Sequence, residues 1–353
     1  MKKILITTGG TGGHVIPAKV IEENLRSSFE VCFSTDLRGI KYLSHVDNKV
    51  FIIDTPKLNP SIYLPFRFIK LLYLIFRAFF FLKREKIDKV ISTGGYMSLP
   101  VITAAKFLDL TIFLLEPNLV LGRSNRFFLN FSKKIICYSD KLYRFPSKYI
   151  DKIELVNPLV SKIFYETKKK ETNDKFCILI FGGSQGAEIF DELVKNVLIK
   201  ISKQFPIKII QQTKKENVDK LKNLYNENNI DNKIFNYEEK LIDLINMADL
   251  CISRAGASSL AEISIMNKPF IAIPLPTAKD NHQMKNAEFY EQMGCCWVLE
   301  QNQSINEKLL ILILDIISKK SDFTDKKLNL KKLNYKNSWK NVNQKIIKIF
   351  NEN

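Results

Sequence analysis

Runs of β-branched and aromatic residues alternate along the chain with stretches whose apolar positions recur at i, i+3 and i+4, a rhythm that predicts strands joined by crossover helices. The strand-like runs fall at residues 3–8, 31–34, 90–93, 111–115 and 134–138, then at 176–181, 207–212, 233–237, 250–254, 270–274 and 296–299. Such alternation specifies an α/β fold on parallel sheets, and the polar, aperiodic stretch 167–175 divides it in two. We expect two Rossmann-like domains, residues 1–158 and 159–336, with a linker around 157–174; a chain of 353 residues suits two such cores. The ending SWKNVNQKIIKIF has helical apolar spacing, so residues 337–353 are expected to pack back on the first domain as a last helix.

One segment breaks the rhythm. Residues 63–82, YLPFRFIKLLYLIFRAFFFL, are long and apolar enough to resemble a membrane span, yet Arg67, Lys70 and Arg77 interrupt them. Each cation would cost about 2.5–3.5 kcal/mol near a bilayer centre, and at ~100° per residue the three gather on one helical face. A helix lying in the membrane interface, with Leu74 and Phe80 among its apolar contacts, is favoured over one that crosses.

Lys and Arg, 54 together, outnumber Asp and Glu, 37, for a net charge of +17. That excess suits a phosphate-bearing substrate, an acidic membrane surface or nucleic acid, although a chain so rich in Lys, Asn and Ile also carries it through compositional bias. No base-reading motif accompanies the charge, so no nucleic-acid partner is expected. The six cysteines form no CxxC pair, which argues against a zinc site and for a reduced compartment. The start, MKKILITT, turns glycine-rich too soon for a signal peptide, and a cytoplasmic protein is expected.

Three glycine-bearing junctions stand where a strand-like run gives way to a helical one. Gly9 to His14, GGTGGH, precedes VIPAKVIEENL; Gly182 to Gly186, GGSQG, precedes AEIFDELVKNVLIK; Arg254 to Glu262, RAGASSLAE, is the third. Glycines let the backbone approach an anion, and the open N–H groups and positive dipole end of the following helix favour a phosphate or oxyanion. Neither GxGxxG nor GK[ST] is present, which excludes the dinucleotide fingerprint and the P-loop. His14 adds an imidazole, ordinarily titrating at about 6.5, that can take a proton from a sugar hydroxyl; its alternative is a helix-terminal residue bonded to local backbone. Glu262 can accept two ribose hydroxyls or, with Ser259, complete a capping box that needs no ligand. Gly94-Gly95-Tyr96, Glu116-Pro117-Asn118 and Asp280 to Gln283 also follow strand-like runs and read, singly, as turns.

Taken in order, GGTGGHVIPA from Gly9, TGGYMSLP from Thr93, FGGSQGA from Phe181, SRAGASSLAE from Ser253 and DNHQMKNA from Asp280 resemble the MurG family. These are family 28 glycosyltransferases that add N-acetylglucosamine to lipid I in bacterial peptidoglycan synthesis, and the resemblance runs from Gly9 to about Gly294. It implies the GT-B architecture, two Rossmann-like domains with parallel sheets facing a central cleft, the lipid acceptor on the first and the UDP-sugar mostly on the second. It further implies inverting, metal-independent transfer from UDP-N-acetylglucosamine to the 4-hydroxyl of the N-acetylmuramyl group of undecaprenyl-linked lipid I, with no cofactor.

By the same resemblance His14 would be the general base, and Thr11, Gly12 and Gly13 would line the acceptor and sugar-phosphate side. Asn118 and Gln283 would contact the sugar or diphosphate, Ser184 and Gln185 the donor phosphates, Ala257 and Ser258 the nucleotide, and Glu262 its ribose. The family docks on the cytoplasmic face of the cell membrane, which gives segment 63–82 a role through Arg67, Lys70, Leu74, Arg77 and Phe80, and a cell-wall synthesis complex is an implied partner. The chain departs from the family at Leu115 and Pro117, where histidine and glutamine usually flank the glutamate, and at Val160, where arginine is common. Two other readings stay open: a diacylglycerol glycosyltransferase of the same fold, and a non-catalytic nucleotide-sugar-binding membrane scaffold.

Overall fold

A computed structural model of the chain describes residues 1–43, 49–56, 60, 62–168, 175–182, 188–319 and 321–352. The chain forms two compact units, Met1–Lys162 with Trp339–Asn353, and Ile163–Ser338.

In the first unit, strands β1 (Lys3–Thr7), β2 (Glu30–Thr35), β3 (Val50–Ile52), β4 (Lys89–Ser92), β5 (Thr111–Leu115), β6 (Lys134–Cys137) and β7 (Ile153–Leu155) make one parallel sheet. The strand order is β3-β2-β1-β4-β5-β6-β7. Helices α1 (Gly12–Leu25), α2 (Leu64–Arg84), α3 (Leu99–Phe107) and α4 (Arg123–Phe128) supply the connections, and α5 (Lys162–Glu166) lies where the chain passes to the second unit. The second sheet takes β8 (Phe176–Phe181), β9 (Ile207–Gln212), β10 (Asp231–Phe235), β11 (Leu250–Ser253), β12 (Phe270–Ala272) and β13 (Cys296–Val298) in the order β10-β9-β8-β11-β12-β13, again all parallel. Its helices are α6 (Glu188–Ser202), α7 (Val218–Glu227), α8 (Leu241–Met247), α9 (Ala257–Ile265), α10 (His282–Gln292), α11 (Ile305–Lys319) and α12 (Ser321–Leu333), after which α13 (Trp339–Asn351) rejoins the first unit.

Central strands such as β1 and β8 are buried over nearly their whole length, as parallel strands covered on both faces must be, which is why they read as unbroken apolar runs. Val90 and Leu114 pack with Val101 and Phe81 in the first core, and Ile178 and Ile180 with Val194 and Ile313 in the second. Two strands the pattern did not predict, β3 and β7, are three-residue edge strands. β10 begins earlier than expected because Asp231 and Asn232, polar residues that a sheet edge tolerates, pair with Lys208 and Ile209. The expected linker contains α5, whose Phe164 is buried.

α13 is held by its apolar stripe, Val342, Ile346, Ile349 and Phe350, with the Phe350 ring centroid 4.5 Å from that of Phe113. Lys89 Nζ donates to Phe350 O at 2.5 Å and Lys133 Nζ to Glu352 O at 3.1 Å, so cations meet the carbonyls at the end of the helix, where its dipole is negative.

No helix among the described residues is long and apolar enough to cross a membrane. Helix α2 is two-sided instead: Leu71, Leu74, Ala78 and Phe81 face the core, while Phe66, Ile69, Tyr73, Phe76 and Phe80 are exposed. The expectation that Leu74 contacts lipid is therefore corrected. It lies three positions after Leu71 and four before Ala78, which puts it on the buried stripe at 3% exposure. Arg67 is half-buried and Lys70 and Arg77 are exposed, with the Arg77 guanidinium 5.9 Å from the Tyr73 ring centroid and 5.5 Å from that of Phe51.

In open parallel sheets, ligands bind outside the carboxyl ends of the strands where the order reverses. Here those points are the exits of β1 and β4 in the first unit and of β8 and β11 in the second.

Candidate functional site

At the exit of β1 the chain turns through Gly9–Gly13 into α1. Gly10 has φ +82, a backbone that favours glycine, and a Cβ on Gly9 would fall 2.8 Å from Asp36 Oδ1 and 2.9 Å from Met97 Cγ. The turn is clamped from β2: buried Asp36 accepts N–H bonds from Gly10 and Gly39, each 2.8 Å, on Oδ1, and from Arg38 on Oδ2. These donors hold its carboxyl below the usual range against the opposing effect of burial. Thr11 is the N-cap of α1 with no side-chain cap, and the first turn carries no acidic residue, so the helix start remains open to an anion. Thr11 and Gly13 are exposed and Gly12 is half-buried.

His14 Nδ1 lies 2.8 Å from Thr93 O, at the exit of β4. A carbonyl can only accept, so Nδ1 carries the proton, and in the neutral ring Nε2 is the basic nitrogen. This partner lies 79 residues away in sequence and removes the alternative of a purely local helix-terminal role. Gly94 (φ +88) and Gly95 (φ +85) make room for the ring: a Cβ on Gly94 would sit 3.3 Å from His14 Cε1, and one on Gly95 3.8 Å from Nε2.

The exit of β5 is organised by Glu116, which is buried. Its Oε1 accepts the backbone N–H and side-chain amide of Asn118, both at 3.2 Å; its Oε2 accepts Gly122 N–H at 2.8 Å and Asn125 Nδ2 at 3.0 Å. Burial keeps the carboxyl above the ordinary glutamate range even so. Asn118 is thereby held by its amide, and Asn125 Nδ2 lies 3.4 Å from the point a Gly94 Cβ would occupy, which joins this loop to the His14 wall. Exchanging Glu116 for glutamine places an N–H where donors now point, and we expect about 1–3 kcal/mol of stability to be lost, read as a lowered urea midpoint at constant m-value. Leu115 and Val160, at 2% exposure each, are core residues and bring no imidazole or cation to the surface, while Pro117 is half-buried beside Asn118.

In the second unit, α9 starts directly after β11 with Gly256 as N-cap (φ −67, ψ 136). Ser259 is consequently the third helical residue, and the capping-box reading of Ser259 and Glu262 fails. Ala257 and Ser258 are the first two residues of an uncapped helix start. Glu262, one turn on and half-buried, has no hydrogen-bond partner among the described residues, and burial pushes its carboxyl up to about 7. Gln283, on the first turn of α10, accepts Leu275 N–H on Oε1 at 2.9 Å, which fixes the amide so that Nε2 is its donor end. Arg254, at 5% exposure, donates to Ile273 O, Pro274 O and Gln301 Oε1 and so ties the exits of β11, β12 and β13 together. Ser184 and Gln185 lie outside the described residues; beside them, Gly182 N–H donates to Gln212 Oε1 at 3.2 Å.

Each unit thus gathers its own set: Thr11 to His14 with Asn118 in the first, and Ala257, Ser258, Glu262 and Gln283 in the second. Among the described residues no group of three or more His, Cys, Asp or Glu side chains could hold a metal ion. Sequence reasoning missed Asp36 and Asn125, gave Arg254 only as the first residue of the third junction, and took Glu116 for a turn residue. The available signal was position: Asp36, Glu116 and Arg254 each directly follow an apolar strand.

Residues 4–137 match the glycosyltransferase family 28 N-terminal domain and residues 177–342 the glycosyltransferase family 28 C-terminal domain. The chain is 45% identical to a Pelagibacter ubique protein named UDP-N-acetylglucosamine--N-acetylmuramyl-(pentapeptide) pyrophosphoryl-undecaprenol N-acetylglucosamine transferase, over 100% of this chain and 99% of that one. A Rickettsia bellii protein of the same name is 37% identical over 90% of this chain and 91% of its own length. The fold matches the crystal structure of Acinetobacter baumannii MurG with a TM-score of 0.79 at 24% identity, covering 99% of both chains.

Proposed function

The chain belongs to glycosyltransferase family 28, and from that premise we propose that it transfers N-acetylglucosamine from UDP-N-acetylglucosamine to the 4-hydroxyl of the N-acetylmuramyl group of undecaprenyl-linked lipid I. The observation that carries this reading is His14: its Nδ1 proton is committed to Thr93 O, which leaves Nε2 as the base at the switch point of the first sheet.

In this mechanism Nε2 takes the proton of the acceptor hydroxyl as its oxygen attacks the anomeric carbon from the face opposite UDP, and the configuration inverts. The developing imidazolium keeps its Nδ1–H bond to Thr93 O. The open N–H groups of Gly12 and Gly13 receive the acceptor's anionic side, and Asn118, set by Glu116, orients the sugars. In the second unit, Ala257 and Ser258 offer backbone N–H groups and the positive end of the α9 dipole to the departing diphosphate, which is stabilisation of leaving-group charge without a cation. Glu262 accepts the ribose hydroxyls, and Gln283 offers its amide to the sugar or diphosphate. Ser184 and Gln185 are assigned to the donor phosphates.

The exposed face of α2 supports docking on the cytoplasmic face of the cell membrane, aromatic residues inward and Lys70 and Arg77 toward anionic headgroups. A lipid-linked acceptor gives that face its purpose. We expect the double variant Phe76→Asp, Phe80→Asp to bind anionic vesicles roughly 100-fold more weakly, since each ring loses about 1.5 kcal/mol of burial. Co-sedimentation with an unchanged thermal midpoint is the check.

The decisive assay is UDP release by purified protein with a lipid I analogue, offered UDP-N-acetylglucosamine or UDP-glucose, with and without EDTA. Acceptor-dependent release that prefers the N-acetylglucosamine donor and ignores EDTA is the expected result. Release with diacylglycerol but not with lipid I would overturn the acceptor assignment, and tight UDP binding without turnover would favour a scaffold.

A further inference from the structure

We propose that Arg38 is an acceptor-binding residue, its guanidinium clamped beside the Gly9–Gly13 turn by buried Asp36 so that it takes the diphosphate of the lipid-linked acceptor. The inference rests on the acceptor assignment made above.

Arg38 Nε and Nη2 donate to Asp36 Oδ2 at 3.0 and 2.8 Å, while Asp36 Oδ1 is occupied by Gly10 and Gly39 N–H. The Asp36 side chain is 3% exposed and that of Arg38 is 63% exposed. The carboxylate therefore shares its charge with two backbone donors below, and the arginine keeps its outer N–H edge toward solvent. Both groups stand at the exit of β2, next to β1 in the sheet. Nη2 lies only 3.6 Å from where a Cβ on Gly10 would be, so the guanidinium borders the same turn that opens α1.

A structural purpose accounts for half of this arrangement. Asp36 already fastens the turn through Gly10 and Gly39, and there is no room at Gly39 for a Cβ, which would fall 3.0 Å from Gly9 Cα. Arg38 does stabilise the buried Asp36 carboxylate, but two backbone donors on Oδ1 remain to hold that carboxylate when the guanidinium is removed. What the pair does provide is a guanidinium held in one orientation in advance of binding, beside the open N–H groups of a fourteen-residue helix. A planar fork next to a helix start suits a ligand with two adjacent phosphates, which can use both at once.

The test is binding of geranyl diphosphate in neutral detergent micelles, with saturating UDP to occupy the donor site, by wild type, Arg38→Gln and Arg38→Lys. We expect glutamine to weaken binding at least tenfold and lysine to restore part of it. The UDP affinity should stay at the wild-type value while the thermal midpoint falls modestly because Asp36 loses a partner, and in turnover the acceptor KM should rise with kcat little changed. Equal binding by Arg38→Gln, or no binding by wild type, overturns the proposal. So does a variant that loses affinity for vesicles of anionic lipid but keeps geranyl diphosphate, since the guanidinium would then serve headgroups. Absence of wild-type turnover on a lipid I analogue counts against the acceptor assignment and leaves the geranyl diphosphate result to be judged on its own.

Discussion

Replacing His14 by alanine is expected to lower kcat by roughly 10²–10⁴-fold, the range a positioned general base supplies, with UDP-N-acetylglucosamine binding held within twofold. The separation is predicted because His14 belongs to the first unit and the residues proposed to bind the nucleotide belong to the second. A milder change isolates tautomer control: Gly94→Ala puts a methyl group 3.3 Å from Cε1 on a backbone at φ +88 and should displace the ring without removing it. Steady-state kinetics with both substrates varied, beside calorimetric titration of the donor, separates kcat from affinity. An alanine variant with wild-type kcat would transfer the base role elsewhere and return the scaffold reading to contention.

The second large effect concerns Glu262. On the proposed role, removing its carboxylate by Glu262→Ala would delete two charge-assisted bonds to ribose hydroxyls, each worth about 1.5–3 kcal/mol, so donor affinity should fall at least 100-fold; Glu262→Gln would keep one acceptor and should lose about tenfold. Because burial raises this carboxyl to about 7, donor affinity of the wild type should climb as pH rises through that value, and the glutamine variant should be flat. UDP-N-acetylglucosamine is the right probe, since its diphosphate is a diester and does not itself titrate near neutrality.

Stability runs the other way. The folded state binds the Glu262 proton more tightly than the unfolded chain, whose carboxyl titrates near 4.5. The contribution is whole below about pH 4.5 and is lost as pH rises toward 7. Glu262→Gln should therefore gain thermal stability over the wild type at pH 8 relative to pH 5, even as it binds the donor worse. A substitution that stabilised nothing at pH 8 would place the carboxyl in a more solvated setting.

What was legible in the sequence follows from how parallel sheets are made. Strands buried on both faces must be largely apolar, so β1, β5 and β8 stand out. Edge strands need burial on neither edge nor face, and β3 and β7 passed unseen while β10 was displaced. The glycine turns were readable because only glycine accepts the backbone at Gly10, Gly94 and Gly95. Their partners were not. Asp36 and Glu116 act through backbone N–H groups that carry no sequence identity, and Arg254 through carbonyls. For the helix at 63–82 the sequence does not reveal the inner stripe, because Leu71 and Leu74 are as apolar as the exposed Phe76. Chain pattern alone does not say which apolar face finds a core.

The return of α13 to the first unit has a consequence for the order of folding. Phe350 fills a place against Phe113 and Phe29, and Lys89 waits at the base of β4 for the carbonyl of that same residue. All of Ile163–Ser338 is synthesised between the rest of that core and its last piece. On the ribosome the first unit is thus born without its closing wedge, with a buried-type lysine and an aromatic socket left wet. The second unit, contiguous in the chain, can be finished before the one that began first.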